Sequence, residues 1–130
     1  MDRLALAFHN EQIHVLLAAE RPELRWALRT ALSQERSLTV AGEVASLQCL
    51  LFLVRTVQPD LILMEWELPG HPVEAVLAAL QMQDMCARLV VIGRDPQAKE
   101  AALAAGADAF LSEEEPAARF LEALRGLVRD

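Results

Sequence analysis

Four short apolar runs in this chain stop where a reactive group would have to stand if the molecule had a reaction to perform. Leu61-Ile62-Leu63-Met64 ends in Glu65, Val15-Leu16-Leu17-Ala18 in Ala19 and Glu20, Leu89-Val90-Val91-Ile92 in Gly93, and Ala107 to Leu111 leads through Ser112 to Glu113. Glu65 has the placing of a catalytic acid, one carboxylate carried by a buried strand towards a Pro69-Gly70 turn. Three glutamates brought together could instead form a divalent-cation site, since their mutual repulsion raises their pKa values unless an ion binds. Neither a Gly-rich phosphate loop nor a nucleophile with a paired base is visible. His9, His14 and His71 lack metal-ligand spacing, and Cys49 and Cys86 stand far apart in apolar segments, where free cysteine ordinarily serves packing.

The elements that must carry these residues alternate in type. A first strand over Ile13 to Ala18 leads to a helix from about Pro22 to Gln34, proline suiting its first turn, with Leu24, Ala27, Leu28, Ala31 and Leu32 on the apolar face. Leu38 to Glu43 reads as a second strand, and Ser46 as the N-cap of a helix over Leu47 to Val57. That helix is apolar on more than one face, so Cys49 or Phe52 must point away from the sheet. The third strand ends at Glu65, and a helix follows from about Val73 to Gln83. Arg88 to Ile92 is a fourth strand, Pro96 to Ala105 a helix closed by Gly106 at C′, Ala107 to Leu111 a fifth strand, and a last helix runs to about Val128. Five strands alternating with five helices argue for an α/β three-layer sandwich around a parallel sheet. With the flavodoxin-like strand order 2-1-3-4-5, the crevice where order reverses lies between strands one and three, with Ala19, Glu20, Glu65, Gly93 and Glu113 around it.

Composition bounds what that crevice can serve. The chain of 130 residues is the size of one domain, assigned here to residues 13–130, with residues 1–12 left as an N-terminal arm without a clear period. A net charge of −7 is the wrong sign for neutralising nucleic-acid phosphates, so direct DNA or RNA binding by this domain is not expected. No apolar run reaches the roughly 18 residues of a membrane span, and the short apolar start does not suit a signal peptide. Cysteine usage points to a reducing, cytoplasmic setting.

The segments also resemble, in order and nearly in spacing, a response-regulator receiver domain of two-component signalling. The resemblance spans Ile13 to Val128. It is carried by Val15-Leu16-Leu17-Ala18 before an acid and Pro22, by Pro59-Asp60-Leu61-Ile62-Leu63-Met64 before an acid and Leu68-Pro69-Gly70, and by Ala104-Ala105-Gly106-Ala107-Asp108-Ala109-Phe110-Leu111. Receivers accept a phosphoryl group from a histidine kinase onto an aspartate after strand three. Magnesium is held there by that aspartate and two acids after strand one, with a hydroxyl residue after strand four and a lysine after strand five. The resemblance therefore implies a degenerate receiver, or pseudo-receiver. Glu65 stands at the phosphoacceptor position, one methylene too long, and Ala19 removes one of the two acids beside Glu20. Gly93 replaces the hydroxyl residue, Glu113 the lysine, and Phe110 falls at the position of the family's switch aromatic.

Three readings of this pocket stand side by side: solvated acids left from a lost site and neutralised by Arg21 and Arg94; Glu65 as a fixed charge imitating a phosphorylated aspartate, paired with Arg94; and a three-glutamate cation site. No catalytic residue, metal or cofactor is expected under the first two. Function then falls to surfaces. Trp26 on the first helix, Phe52 on the second and Trp66 at the pocket mouth are the candidate contact residues. The expected role is a phosphorylation-independent interaction or dimerisation module, not an enzyme, in bacterial signalling or transcriptional regulation. Its partner would be another protein or a second copy, with a C-terminal DNA-binding domain possible in a longer regulator. The alternative is a receiver still modified or ligand-gated at Glu65, by a phosphoryl group, a divalent ion or a small molecule.

Overall fold

The computed structural model of the chain describes residues 12–66, 73–83 and 87–129, Val73, Val128 and Arg129 by backbone alone. Residues 1–11 of the N-terminal arm, with His9, and Pro69-Gly70, His71 and Cys86 lie outside the described residues. Strands β1 (Ile13–Ala18), β2 (Leu38–Val44), β3 (Leu61–Glu65), β4 (Arg88–Gly93) and β5 (Ala109–Ser112) alternate with helices α1 (Pro22–Leu32), α2 (Leu47–Val57), α3 (Val73–Gln81), α4 (Pro96–Ala104) and α5 (Ala117–Arg129). All strand pairs are parallel and the order is β2-β1-β3-β4-β5, as expected from the sequence.

Side chains alternate across a strand, so each strand feeds two cores. Val15, Leu17, Leu61, Leu63, Val90 and Ile92 pack under α1 and α5 with Leu28, Leu32, Phe120 and Leu124. Leu16, Ala18, Ile62, Met64 and Val91 pack under the other three helices with Leu50, Val54, Leu77 and Ala102. Burial on both faces explains why β3 reads as a continuous apolar run. Glu65 falls on the same parity as Leu61 and Leu63, which turns it towards the α1 side.

The helix ends follow local chemistry. Ser46 caps α2 by accepting the Cys49 N–H at 3.3 Å. Asp95 caps α4, its Oδ1 accepting the Gln97 N–H at 2.9 Å. Gly106 follows the α4 C-cap with a φ of +111°, a left-handed conformation that suits glycine, and Gln81 of α3 fills the space a Cβ would take.

Several expectations need correction. Ala27 is exposed, because only Leu24, Leu28, Ala31 and Leu32 of α1 meet the sheet. On α2 the inward stripe is Leu47, Leu50 and Val54, so Cys49 and Phe52 both face out, and Cys49 is not packing material. α1 stops at Leu32, where Ser33 and Gln34 close a turn on Arg29 and Ala31. β5 starts at Ala109, because the Ala107 N–H still bonds back to Ala102 in the helix exit.

Candidate functional site

Pro22 at the start of α1 shapes the site. The residue before a proline is pushed out of the helical region, and Arg21 accordingly takes φ −73° and ψ 119°. Arg21 has no oxygen with which to cap α1, and its guanidinium reaches across the mouth of the sheet instead. Its Nε donates to Glu65 Oε2 at 2.6 Å and its Nη2 to Glu113 Oε2 at 2.7 Å. One cation from the β1–α1 loop thus ties the end of β3 to the residue after β5.

Each carboxylate has a second donor. Glu65 Oε1 accepts the Glu20 N–H at 2.8 Å, near the start of α1, where the helix dipole also favours negative charge. Glu113 Oε1 accepts from Arg94 Nε at 2.8 Å. Arg25 braces the loop from behind, its Nη1 donating to the carbonyls of Ala19 at 2.5 Å and Glu20 at 3.0 Å. The result is an alternating row, Glu65, Arg21, Glu113, Arg94, with two charges of each sign. Glu65 is only 7% exposed, so leaving its oxygens without these donors would be costly.

The pairing shifts the titration of Glu113 and Arg21. Burial pushes the Glu113 carboxyl up, but hydrogen bonds from Arg21 and Arg94 outweigh it and hold the group below the ordinary glutamate range. Hydrogen bonds to Glu113 and then Glu65 raise Arg21 above the ordinary arginine value, against the opposing effect of burial. A carboxyl whose folded pKa is depressed adds stability above its unfolded pKa and loses it as pH falls through the folded value. Unfolding by denaturant at a series of pH values should therefore show a plateau through neutrality. Stability should begin to fall below about pH 4.3, the ordinary glutamate pKa. Glu113→Gln should flatten the onset of that fall.

The sequence reading placed Ala19, Glu20, Glu65, Gly93 and Glu113 around one crevice. Glu65 and Gly93 line a cavity of about 410 Å³ with Arg21, Trp66, Ile92, Arg94, Asp95 and Glu113. Ala19 is buried and meets the site only through its backbone, and the Glu20 side chain is exposed, contributing its N–H alone. Three expectations are overturned. Glu65 and Glu113 are partnered and largely buried rather than solvated, and the partner of Glu65 is Arg21, whereas Arg94 serves Glu113. The three-glutamate ion site does not form, and among the described residues no three His, Cys, Asp or Glu side chains gather as a ligand set. The magnesium that receivers hold does not fit this donor set, because Ala19 offers no side-chain oxygen and a guanidinium lies between the two nearest carboxylates.

Trp66 lines the cavity, and its backbone N–H donates to the Ile92 carbonyl at 2.8 Å. Trp26 does not pack on α5 but stands 61% exposed, and Phe52 is 66% exposed on the opposite layer. Sequence reasoning named Arg21 and Arg94 as the neutralising charges, but not Arg21 as the link between Glu65 and Glu113, nor the part of Asp95 in the cavity wall. The available signal was an arginine locked between an acid and a proline.

No protein-family model matches the chain. The nitrate/nitrite response regulator protein NarL of Escherichia coli K12 is 28% identical over 118 residues, covering 89% of this chain and 55% of NarL. The signal receiver domain of NarL from Mycobacterium tuberculosis superposes with a TM-score of 0.82 at 25% identity, covering 91% of this chain and 97% of that domain. In sequence and in fold the chain is similar to response-regulator receiver domains. The same fold recurs in a LuxR-family two-component response regulator from Aurantimonas sp. SI85-9A1 (TM-score 0.82, 20% identity, covering 90% of this chain and 85% of that one). It recurs too in the response regulator domain of Thermotoga maritima CheB (TM-score 0.79, 19% identity, covering 92% and 98%). The chain spans about half the length of the curated relatives it matches. Among its described residues no helix is long and apolar enough to cross a membrane.

Proposed function

We propose that this receiver is degenerate and works as a phosphorylation-independent interaction module in bacterial signal transduction or transcriptional control, in the cytoplasm and without an enzymatic activity of its own. One observation carries the reading: the Arg21 guanidinium, bonded at 2.6 and 2.7 Å to Glu65 and Glu113, sits where a receiver would need a metal ion and an incoming phosphoryl group. Phosphoryl transfer is catalysed almost wholly by positioning and charge neutralisation. Here the positive charge is already committed to two carboxylates, and both oxygens of Glu65 accept hydrogen bonds that attack on phosphorus would have to break. Nor does Glu65 present the uncompensated charge that a phosphoaspartate would. The reading of Glu65 as an imitation of that state loses its main support.

The test is incubation with acetyl phosphate and magnesium, read by intact mass. No phosphoryl adduct is expected after prolonged exposure. A stoichiometric adduct localised to Glu65 would overturn the proposal and favour the reading in which the site is still modified.

An interaction module needs a surface, and Trp26 is the best supported one. Arg25 and Arg29 on either side of it are both drawn to Glu43, Arg29 Nη1 at 2.6 Å and Arg25 Nε at 3.8 Å, which leaves the indole uncovered between tethered charges. Exposed tryptophan is over-represented among residues that dominate interfaces. The occupant under this reading is a protein, either a second copy or a separate regulator, and nucleic acid would be met only by another domain of a longer chain. Trp26→Asp should lower the solution mass measured by light scattering if the receiver self-associates. An unchanged mass would assign Trp26 no part in a homodimer.

A further inference from the structure

Two cavities of this molecule meet at one aromatic ring. Phe110 lines a groove of about 860 Å³ between the starts of α4 and α5, with Pro96, Lys99, Arg119, Phe120 and Ala123 among its walls. The same ring lies against Gly93, which lines the Glu65 cavity. A Cβ built on Gly93 would stand 3.0 Å from Phe110 Cζ, 3.2 Å from Cε2, and 3.3 Å from the Trp66 Cβ. The first of these distances is at the limit of what real side chains tolerate, so any residue larger than glycine requires the ring to move.

Backbone conformation does not call for glycine at this position. Gly93 ends β4 in regular pairing with Ser112, and among the described residues Gly106 is the glycine with positive φ. Close approach of a ring is the remaining physical reason for a glycine in a strand. Phe110 completes the arrangement from the other side. It pairs in register with Val91, is partly buried, and packs on the core that includes Met64, Val91 and Ala102. The ring is therefore held by the sheet below and α4 beside it, and the space left by the absent side chain at 93 receives its tip.

We infer that Gly93 is a seat for the Phe110 ring, which holds that ring inward in a single position and so fixes the shape of the α4–α5 groove whatever happens at Glu65. Gly93 is in this sense a positioning residue for a surface it does not itself line. The inference rests on packing alone and does not depend on Glu65 being unmodified, so the two can fail separately.

The test is NMR on the full chain. In the native protein, strong NOEs are expected between the Phe110 ring protons and the Gly93 Hα protons. Gly93→Ala should abolish that pattern and shift the amides of Lys99, Arg119 and Ala123 across the groove. The same substitution in a Phe110→Ala background should shift those three amides severalfold less, because the ring that transmits the change is gone. Absence of the native NOEs would overturn the inference without any variant having to fold. Equal amide shifts in the two backgrounds would overturn it as well, since Gly93 would then reach the groove without Phe110.

Discussion

Arg21→Ala is expected to cost this protein about 3 kcal/mol of unfolding free energy, towards the low end of what losing one partner of a buried ion pair costs. Glu65 is the reason. It is almost wholly buried, and without the guanidinium its Oε2 loses its donor while Glu113 loses one of two. The low end applies because Arg21 keeps about a third of its side-chain surface and water can partly replace it. Denaturant melts of Arg21→Ala, Glu65→Gln and the double variant would measure the coupling directly. The double variant should recover part of the loss, since a neutral amide tolerates burial better than an unpaired carboxylate. Equal and additive losses in the two single variants would mean that the bond contributes little.

Glu113→Lys puts back the residue type that receivers carry after strand five, and it is expected to harm this protein rather than repair it. The new ammonium would face Arg21 and Arg94 at the point where both now donate to one carboxylate. Two attractions become two repulsions. Like charges at about 4 Å cost roughly 1 to 4 kcal/mol over the dielectrics found near protein surfaces. Arg94 is 64% exposed and can swing away, so most of the penalty falls on Arg21. A loss of about 2 kcal/mol in thermal or denaturant unfolding follows, within the range for uncompensated charge. No gain in acetyl phosphate reactivity should accompany it, because Ala19 still offers no metal ligand and Arg21 still occupies the site. A variant that became both more stable and phosphorylatable would show that the row of charges is incidental.

The architecture was legible because periodicity reports burial, and burial is what the strands here have in common. Glu65 could be placed at a strand end for the same reason, since four apolar residues followed by an acid mark where the core stops. Partner choice was not legible. Arg94 follows Gly93 and looked the natural neighbour for Glu65, yet distance across a sheet mouth depends on backbone direction, and the direction that matters is set by Pro22 acting on Arg21. Exposure on α2 was ambiguous for another reason. Its sequence is apolar nearly all round, but the sheet beneath it takes only the Leu47, Leu50 and Val54 stripe, and nothing in local pattern says how wide a stripe a neighbour will cover. How closely the Phe110 ring approaches Gly93 was not legible, because a missing side chain leaves room without saying how much of it is taken.

The row Glu65, Arg21, Glu113, Arg94 is drawn entirely from one chain. A site neutralised by a metal ion or a phosphodonor has an occupancy that follows the supply of that ligand, with a midpoint at its dissociation constant. A site neutralised by its own arginine has no such midpoint. Its effective ligand concentration is set by the three-residue loop Ala19-Glu20-Arg21 between β1 and the start of α1, and dilution, chelation or starvation leaves it filled.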